Sequence, residues 1–387
     1  MMRYPRIGHV VMQTTPFCNI DCKYCYLPDR RSKARMEPSV VRRLAERVAE
    51  YQDGSEPVRW YWHAGEPLTV GLDHFRACHE AVAAGAPALA DTFQYHVQTN
   101  GILLDDAWAQ FFKQHHYGIG VSLDGPADIH NANRVTRNGD GTFDKVVAGI
   151  KRLQDAGLHP AILAVVSSAS LDRPSDLLAT FAQLGVDSVA FNFEEMEGTH
   201  GTSSLKAMDD NGELRGKIEN FISVLLRERA ERYPHIRLRE TDWMLPSILS
   251  GEAVEGWLTR PMTYLTVLSN GIASTFCPEL AGMTGADEVD FPRCNVLAEP
   301  LMAFADRVFA SRAFADIETG VTHCRMTCDY FELCAGGCPS NKFYETGNFA
   351  STETLYCRIR NQYAADAVVD YIIASEGKGA AAPAGEP

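Results

Sequence analysis

Eleven cysteines in two groups constrain the fold of this 387-residue chain more than any other sequence feature. Three lie within residues 18–25 and seven within 277–357, and Cys78 stands alone between them. An odd number of cysteines does not close into intramolecular disulfides. The N-terminus lacks the long apolar core of a signal peptide, so we expect a cytoplasmic protein. In a reducing compartment, grouped cysteines more often bind metal or do chemistry than form disulfides.

Charge and hydropathy narrow the classes of partner. The formal net charge of −14 disfavours binding to nucleic acid or to an anionic membrane, because both require a basic surface. From this charge we expect no nucleic-acid partner. No apolar run reaches the length of a membrane span, so we expect no membrane partner either. The hydrophobic fraction of 45% is that of an ordinary globular chain with a sizeable core.

Apolar and amphipathic segments alternate between the two cysteine groups. Apolar runs typical of buried parallel strands lie at 7–11, 58–62, 93–97, 119–123, 162–166 and 188–193. Amphipathic stretches between them predict helices at 40–51, 72–84, 107–114, 143–156 and 175–184. This alternation predicts an α/β fold with a parallel sheet, in the form of a partial (β/α)6 barrel. A longer helical stretch at 214–232 then interrupts the alternation.

The sequence pattern changes near residue 264. Predicted strands at 264–268 and 272–276 flank an Asn-Gly pair, which is a strong hairpin signal. The loop-rich segment that follows has too few apolar residues to fold on burial alone, so we expect metal sites to hold it. We predict a barrel over 1–210, a helical bridge over 211–262 and a cysteine-rich domain over 263–365. A helix end and a tail, disordered from 375, would occupy 366–387.

The first cysteine group has the spacing C-x3-C-x2-C and directly follows the first predicted strand. Cys18, Cys22 and Cys25 can wrap one corner of a [4Fe–4S] cluster, which normally has four thiolate ligands. With three ligands, one iron keeps an open position for a substrate or cofactor. Zinc, or loop cysteines without a ligand role, remains the alternative on spacing alone.

This motif resembles that of the radical S-adenosylmethionine (radical SAM) superfamily. Tyr24 matches the position at which family members place an aromatic side chain beside the adenine. Residues 62–67, Trp-His-Ala-Gly-Glu-Pro, resemble the Gly-Gly-Glu-Pro motif that grips the methionine amino group. Ala64 replaces the first glycine of that motif, and the resemblance assigns the contact to Glu66.

Later strand ends continue the resemblance. Ser122 and Arg134 match positions that meet the ribose or the methionine carboxylate, and an arginine fork suits a carboxylate. Asn192 matches a contact to adenine. Strand carboxyl ends are also where barrel enzymes gather their chemistry. The SAM-binding residues implied by the resemblance are Tyr24, Ala64, Gly65, Glu66, Gln98, Ser122, Arg134 and Asn192.

The second cysteine group resembles the SPASM extension of radical SAM enzymes that modify peptides and proteins. That extension carries two auxiliary [4Fe–4S] clusters, so the implied cofactors are three such clusters and SAM. Two zinc sites remain the alternative. The implied ligands are Cys324, Cys328, Cys334 and Cys357 for an outer cluster, and Cys277, Cys294 and Cys338 for an inner one.

The C-terminal motif departs from the SPASM pattern at two positions. Cys324 and Cys328 are spaced C-x3-C where the family usually has C-x2-C, and Val289 replaces a usual glycine. Because the group holds seven thiols, we expect the inner cluster to have an open iron or a ligand other than cysteine. Cys78 shares a helical face with apolar residues and is expected to be a buried core thiol.

The resemblance implies a reaction as well as cofactors. A reduced cluster cleaves SAM to methionine and a 5′-deoxyadenosyl radical, which would abstract a Cβ hydrogen from a ribosomally made precursor peptide. Residues 62–67 and 191–198 look most like the cyclophane-forming peptide maturases, which bond an aromatic ring carbon to the Cβ of a residue two positions on.

Other branches of chemistry remain open from the sequence. Sulfatase-maturating enzymes oxidise Cys or Ser to formylglycine, and in that branch a catalytic Asp follows an inner-cluster cysteine. Here that position is Asn295, which cannot act as a base. Thioether formation and a non-enzymatic iron–sulfur electron carrier are further alternatives.

Charged segments near the predicted barrel mouth suggest substrate contacts. Glu194 and Glu195 are candidate catalytic residues that would accept a proton, and with Glu197 they could instead hold a basic peptide segment or be solvated. A basic loop at 30–35 could meet an acidic leader peptide or be solvated. Because the first strand lies so near the N-terminus, we expect any leader to bind the catalytic body or a separate protein. Flavodoxin or ferredoxin is the expected electron donor.

Overall fold

A ten-stranded sheet organises the computed structural model, which describes residues 4–283 and 290–379. The strands are His9–Gln13 (β1), Ile20–Cys22 (β2), Val58–Trp62 (β3), Phe93–Thr99 (β4), Gly118–Ser122 (β5), Arg134–Thr136 (β6), Ala161–Val166 (β7), Ser188–Phe193 (β8), Arg237–Leu238 (β9), Tyr264–Leu268 (β10), Ile272–Thr275 (β11) and Cys294–Asn295 (β12). Their order in the sheet is β12-β11-β10-β1-β3-β4-β5-β7-β8-β9, and β2 pairs with β6 in a separate two-stranded sheet.

The sheet is mostly parallel, which confirms the predicted α/β fold. Neighbouring strands from β10 through β1 to β9 run parallel, whereas β11 is antiparallel to both β10 and β12. The six predicted barrel strands are all present. The first is displaced, from 7–11 to His9–Gln13, because the amide of Gln52 binds both the N–H and the carbonyl oxygen of Ile7. The N–H and carbonyl oxygen of Ile7 are therefore not available for hydrogen bonds to a neighbouring strand.

Helices connect the parallel strands and follow them. They are Pro38–Tyr51 (α1), Leu72–Gly85 (α2), Asp106–Gln114 (α3), Ala127–Asn133 (α4), Phe143–Asp155 (α5), Ser168–Leu171 (α6), Pro174–Gln183 (α7), Ser204–Asp210 (α8), Leu214–Arg232 (α9), Arg239–Ser250 (α10), Leu301–Phe309 (α11), Arg312–Thr327 (α12), Phe331–Cys334 (α13), Pro339–Thr346 (α14), Leu355–Cys357 (α15) and Ala364–Gly379 (α16). The α1 helix begins at a proline. Proline has no backbone N–H, but the N–H groups of the first helical turn have no partner within the helix, so no hydrogen bond is lost. On α2, Cys78 is 1% exposed within the core, which confirms its structural role.

The predicted hairpin extends the barrel sheet. β10 lies parallel to β1, so one sheet continues across the predicted domain boundary between 262 and 263. The turn ends at Gly271, whose φ of 82° favours glycine. The predicted division into domains stays a prediction. Helix α16 continues to Gly379, which corrects the predicted start of the disordered tail at 375. The rest of that tail, 380–387, lies outside the described residues.

Candidate active site

The three N-terminal thiols lie on the loop that follows β1. Cys22 ends β2 and pairs with Arg134 of β6, and the Arg137 guanidinium donates to the carbonyl oxygen of Cys18 at 2.7 Å. All three cysteines line one cavity of about 240 Å³. Burial raises the pKa of Cys18 to about 12 and that of Cys22 to about 11. A metal therefore has to displace protons when it binds these thiols.

The donor chemistry of these three thiols is that of an iron–sulfur site. A cubane distributes its thiolates over separate irons, whereas a structural zinc ion takes four ligands in a tetrahedron. The cavity and the all-sulfur donors therefore fit a [4Fe–4S] cluster held by three thiolates.

The loop after β3 approaches the cysteine loop most closely at Gly65. A Cβ atom there would lie 2.2 Å from the carbonyl oxygen of Thr15 and 2.7 Å from that of Phe17. The N–H of Glu66 donates to the same Phe17 oxygen at 2.8 Å. Ala64 has a φ of 68°, a left-handed conformation that favours glycine. The alanine therefore keeps the backbone path of the Gly-Gly-Glu-Pro motif at some cost in strain.

The carboxylate of Glu66 is buried and fixed by three donors. Oε1 accepts from the Thr99 hydroxyl at 2.7 Å and from the N–H of Leu68 at 3.1 Å, and Oε2 accepts from the N–H of Asn100 at 2.7 Å. Burial raises the pKa of Glu66 to about 7, although these hydrogen bonds act in the opposite direction. Oε2 accepts only one of these bonds and keeps lone-pair capacity for a further donor, so the geometry is compatible with the predicted contact to an amino group.

Arg134 forms a bidentate pair with Asp124, a buried residue that the sequence analysis did not select. Its Nε and Nη2 each donate to an Asp124 oxygen at 3.0 Å, and the Tyr24 hydroxyl donates to the same carboxylate. The remaining nitrogen, Nη1, lies 3.9 Å from the sulfur of Cys22. The Arg134 fork is thus used within the protein, and its predicted contact to SAM stays a prediction. Asp124 could have been selected from the sequence because it lies two residues after β5, at the carboxyl end of a strand.

All eight predicted SAM-binding residues line the same cavity as the three thiols. Within it, the Gln98 amide donates to the Ser122 hydroxyl at 3.0 Å, and Asn192 accepts from Arg239 at 2.7 Å. His63, which the sequence analysis did not select, lines this cavity as well. Its Nδ1 is buried with no hydrogen-bond partner within the described ranges, and burial lowers its pKa to about 4. The individual roles of these residues toward SAM stay predictions.

Glu194 lines the cavity, but its carboxylate is used to hold the chain after β8. Oε2 accepts from the backbone N–H of Ser204 at 2.9 Å and from its hydroxyl, and Oε1 lies 3.1 Å from Nε2 of His200. These contacts give Glu194 a positioning role for residues 194–204. Its predicted catalytic role therefore has weaker support from the geometry than that of Glu195.

Glu195, Glu197 and Glu279 form a buried carboxylate cluster on the same cavity. The Asn341 amide donates to Glu195 at 2.6 Å and to Glu197 at 3.1 Å, and the Ser340 hydroxyl donates to Glu197 at 2.8 Å. Burial raises the pKa of all three carboxyl groups above the ordinary value. For Glu195 the pKa rises to about 7, so this carboxylate can accept a proton near neutral pH. Sequence analysis missed Glu279, which adjoins the C-terminal cysteines rather than the barrel motifs.

The four predicted outer-cluster thiols converge. Cys324, Cys328, Cys334 and Cys357 line one cavity of about 270 Å³. Lys342 donates to the sulfur of Cys324 at 3.8 Å. Four thiols around a space of this size fit a [4Fe–4S] cluster with a complete set of cysteine ligands.

The predicted inner-cluster thiols converge only in part. The sulfur atoms of Cys277 and Cys338 lie 3.0 Å apart. Cys294 lies on β12, where burial raises its pKa to about 12 and its charged neighbours are Glu299 and Arg307. Its grouping with the other two thiols stays a prediction.

Two residues near Cys294, Val289 and Asn295, were singled out by the sequence analysis. Val289, at the second predicted departure, lies outside the described residues. Asn295, which occupies the position of the catalytic Asp, accepts from the N–H of Leu297 at 3.0 Å through its side-chain oxygen. It does not line the cavity that holds the N-terminal thiols.

Comparison with known proteins identifies the family. A model described as the Radical SAM superfamily matches residues 12–169, which include the three N-terminal thiols. The uncharacterized protein sll1766 of Synechocystis sp. is 34% identical over 372 residues, covering 95% of this chain and 92% of that protein. The chain belongs to the radical SAM superfamily. Membership implies a [4Fe–4S] cluster and SAM, and the residues predicted to bind them line the N-terminal cavity.

Other relatives bear functional names. A serine-type anaerobic sulfatase-maturating enzyme of Bacteroides thetaiotaomicron is 23% identical over 374 residues, which cover 89% of this chain and 86% of that enzyme. The structure of anSMEcpe with bound AdoMet and Cp18Cys peptide has a TM-score of 0.76 at 21% identity, with 97% of this chain and 100% of that chain covered. Streptococcus suis SuiB bound to precursor peptide SuiA has a TM-score of 0.59 at 16% identity, with 92% and 76% covered.

These similarities confirm the radical SAM fold over nearly the whole chain. None of these proteins is named as a cyclophane-forming enzyme, so that subtype lacks support from them. Three clusters, the electron donor, a leader-binding partner and a cytoplasmic location stay predictions. Over residues 4–283 and 290–379, none of the helices combines the length and apolar character required to cross a bilayer.

Proposed function

We propose that this radical SAM enzyme oxidises a side chain of a peptide or protein, with a cavity carboxylate accepting the proton that is released. The observation that carries the proposal is that Glu195, Glu197 and Glu279 share one cavity with the three thiols and all the predicted SAM residues. When bound, the cluster and SAM would supply the one-electron chemistry for hydrogen abstraction. The carboxylates would supply the base that the cofactors lack.

A second cavity offers room for a peptide substrate. It has a volume of about 490 Å³ and shares Tyr26, Leu27 and Glu279 with the first. The hydroxyl of Tyr26 is buried and has no hydrogen-bond partner within the described ranges, so it can bind a substrate group. The names of the sulfatase-maturating relative and of the peptide-bound structures support a peptide or protein as the substrate class.

The atom balance of the oxidation defines what the protein has to supply. The substrate loses two hydrogen atoms: one leaves as a hydrogen atom, and the other leaves as a proton and an electron. Glu195 or Glu197 would hold the proton, and the C-terminal thiols would hold the metal groups that exchange the electron.

Formylglycine formation is the first candidate for the product. Several relatives are named as sulfatase-maturating enzymes. Formylglycine formation removes one hydrogen atom, one proton and one electron from a Cys or Ser side chain; from Cys, water then replaces the sulfur, which leaves as sulfide. In this chain the base would be Glu195 or Glu197, because Asn295 stands at the predicted position of the catalytic Asp, cannot act as a base and is not among the residues that line the cavity.

A carbon–carbon crosslink to an aromatic ring is the second candidate. The observation that favours it is that Glu195 and Glu197 line the cavity of the predicted SAM residues, whereas Asn295, at the predicted position of the catalytic Asp, does not. A ring that forms a new bond has to lose a proton to regain aromaticity, and Glu195 lies where such a proton could be accepted. The overall loss of two hydrogen atoms is the same as for a serine-derived formylglycine.

Two peptides separate these products. One is the Cp18Cys peptide, and the other is a synthetic peptide with aromatic-x-polar triplets. We expect the reconstituted, reduced enzyme to remove hydrogen from one of them; an aldehyde that reacts with hydrazine marks formylglycine, and loss of fragmentation within the triplet marks a crosslink. If neither peptide is altered or changes the rate of SAM cleavage, peptide oxidation by this chain is contradicted.

Glu195→Gln should separate SAM cleavage from product formation. The amide cannot accept a proton, so we expect product per SAM cleaved to fall by about a hundredfold or more, since a general base typically contributes about 10²–10⁴-fold. Burial, together with Glu279, raises the pKa of Glu195 to about 7, whereas Arg360 and the Asn341 amide oppose the rise. Because protonation occupies the base, the wild-type yield should increase as pH rises through about 7.

The pH profile of Glu195→Gln should be flatter than that of the wild type. The matched control is Glu46→Gln on the surface of α1, which should retain both the yield and the profile. An unchanged ratio of product to SAM in Glu195→Gln would show that this carboxylate is not the proton acceptor.

A further inference from the structure

Lys342 is a buried cation that lies against a cysteine thiol. The residue is 4% exposed, and its Nζ donates to the sulfur of Cys324 at 3.8 Å. Among residues 4–283 and 290–379, its ammonium group forms no ion pair with an Asp or Glu side chain. An ammonium group removed from water is costly unless an opposite charge is close. The geometry therefore calls for negative charge at the thiols.

The protein makes room for this ammonium group at the four-thiol cavity. Gly320 and Cys324 lie one turn apart on α12, and a Cβ atom at Gly320 would come within 3.0 Å of Nζ. A larger side chain at Gly320 would displace the ammonium from the sulfur.

The charge beside the N-terminal thiols differs from that beside Cys324. Arg134 lies at a similar distance from Cys22, 3.9 Å, but its charge is balanced by Asp124 at 3.0 Å. A cluster at the N-terminal site would therefore face a neutral pair. A cluster at the four C-terminal thiols would face the Lys342 ammonium directly at a ligand sulfur. Asp329 and Glu353 also line that cavity, and Glu353 is paired with Arg358 at 2.9 Å.

We propose that Lys342 raises the reduction potential of the iron–sulfur cluster held by Cys324, Cys328, Cys334 and Cys357. Reduction adds a negative charge to the cluster, and a cation bonded to a ligand sulfur stabilises that added charge. Hydrogen bonds to the sulfurs and nearby charge are established determinants of cluster potential. The inference rests on the four-thiol site and not on the identity of the substrate.

The test compares Lys342→Met with Lys342→Arg in the full chain after anaerobic reconstitution. Potentials are measured by redox titration followed by electron paramagnetic resonance, in a Cys18→Ala, Cys22→Ala, Cys25→Ala background that removes the N-terminal cluster signal. Lys342→Met should reduce the ratio of reduced to oxidised outer cluster at least tenfold at a fixed potential, which is about 59 mV for a one-electron couple. Lys342→Arg should stay close to the parent protein.

Assembly of the cluster provides a second readout. Loss of the outer cluster in Lys342→Met, with retention in Lys342→Arg, would also support a role for the charge. An unchanged potential in Lys342→Met, or loss of the cluster in both variants, would overturn the proposal, since packing would then account for the residue. Zinc or no metal at the four thiols of the parent protein would overturn it together with the ligand assignment.

Discussion

Replacing Cys18, Cys22 and Cys25 together with alanine should abolish reductive cleavage of SAM while the C-terminal sites keep their iron. The three thiols line the cavity that holds every predicted SAM residue, and no other cysteine lines it. Iron per chain should fall by about four, the content of one cubane, and 5′-deoxyadenosine should fall below detection. Iron analysis and chromatography of the reduced protein with SAM measure both quantities.

Cys78→Ala is the matched control for that experiment. Its thiol lies in the core, 1% exposed on α2, so the variant should keep its iron and its SAM cleavage. If SAM cleavage persists in the triple variant, the assignment of these thiols to the SAM-binding cluster is wrong.

Gly65→Ala should destroy the SAM site and destabilise the fold. The new Cβ atom would meet the Thr15 carbonyl oxygen at 2.2 Å, and the backbone has a φ of 60°. A left-handed conformation and overpacking against backbone together cost about 2–5 kcal/mol. We expect SAM cleavage to fall at least a hundredfold, since relief of the contact would move the loops that carry Cys18 and Glu66. Denaturant unfolding and SAM binding by calorimetry test the two effects.

Gly71→Ala separates conformational strain from the close approach. Gly71 has a φ of 82°, but nothing lies within 4 Å of a Cβ atom built there. That variant should lose only about 1–2 kcal/mol and should bind SAM as the wild type does. Wild-type SAM binding by Gly65→Ala would show that the contact between these two loops is not required.

Features with a local cause in the sequence could be predicted. The six barrel strands follow from apolar runs, and the convergence of Glu66, Gln98 and Asn192 follows from their positions at strand carboxyl ends. The displacement of β1 came from a single amide, Gln52, whose contact with Ile7 spans 45 residues and leaves no trace in periodicity.

Features that depend on pairing between distant side chains could not be predicted. The sequence presents Arg134 as a free cation, but folding places Asp124 against it. The three acids after β8 look equivalent along the chain. Only the folded structure shows that Glu194 binds Ser204, whereas Glu195 and Glu197 accept from Asn341. The contact between the Lys342 ammonium and the Cys324 sulfur likewise becomes visible only in the folded structure.

The central claim is that this chain holds a cluster at three thiols and uses it to cleave SAM reductively. The most direct measurement is the product of SAM after incubation with anaerobically reconstituted, dithionite-reduced protein. The structure predicts 5′-deoxyadenosine and methionine in equal amounts. A fully iron-loaded protein that leaves SAM intact, or that converts it to S-adenosylhomocysteine, would contradict the claim.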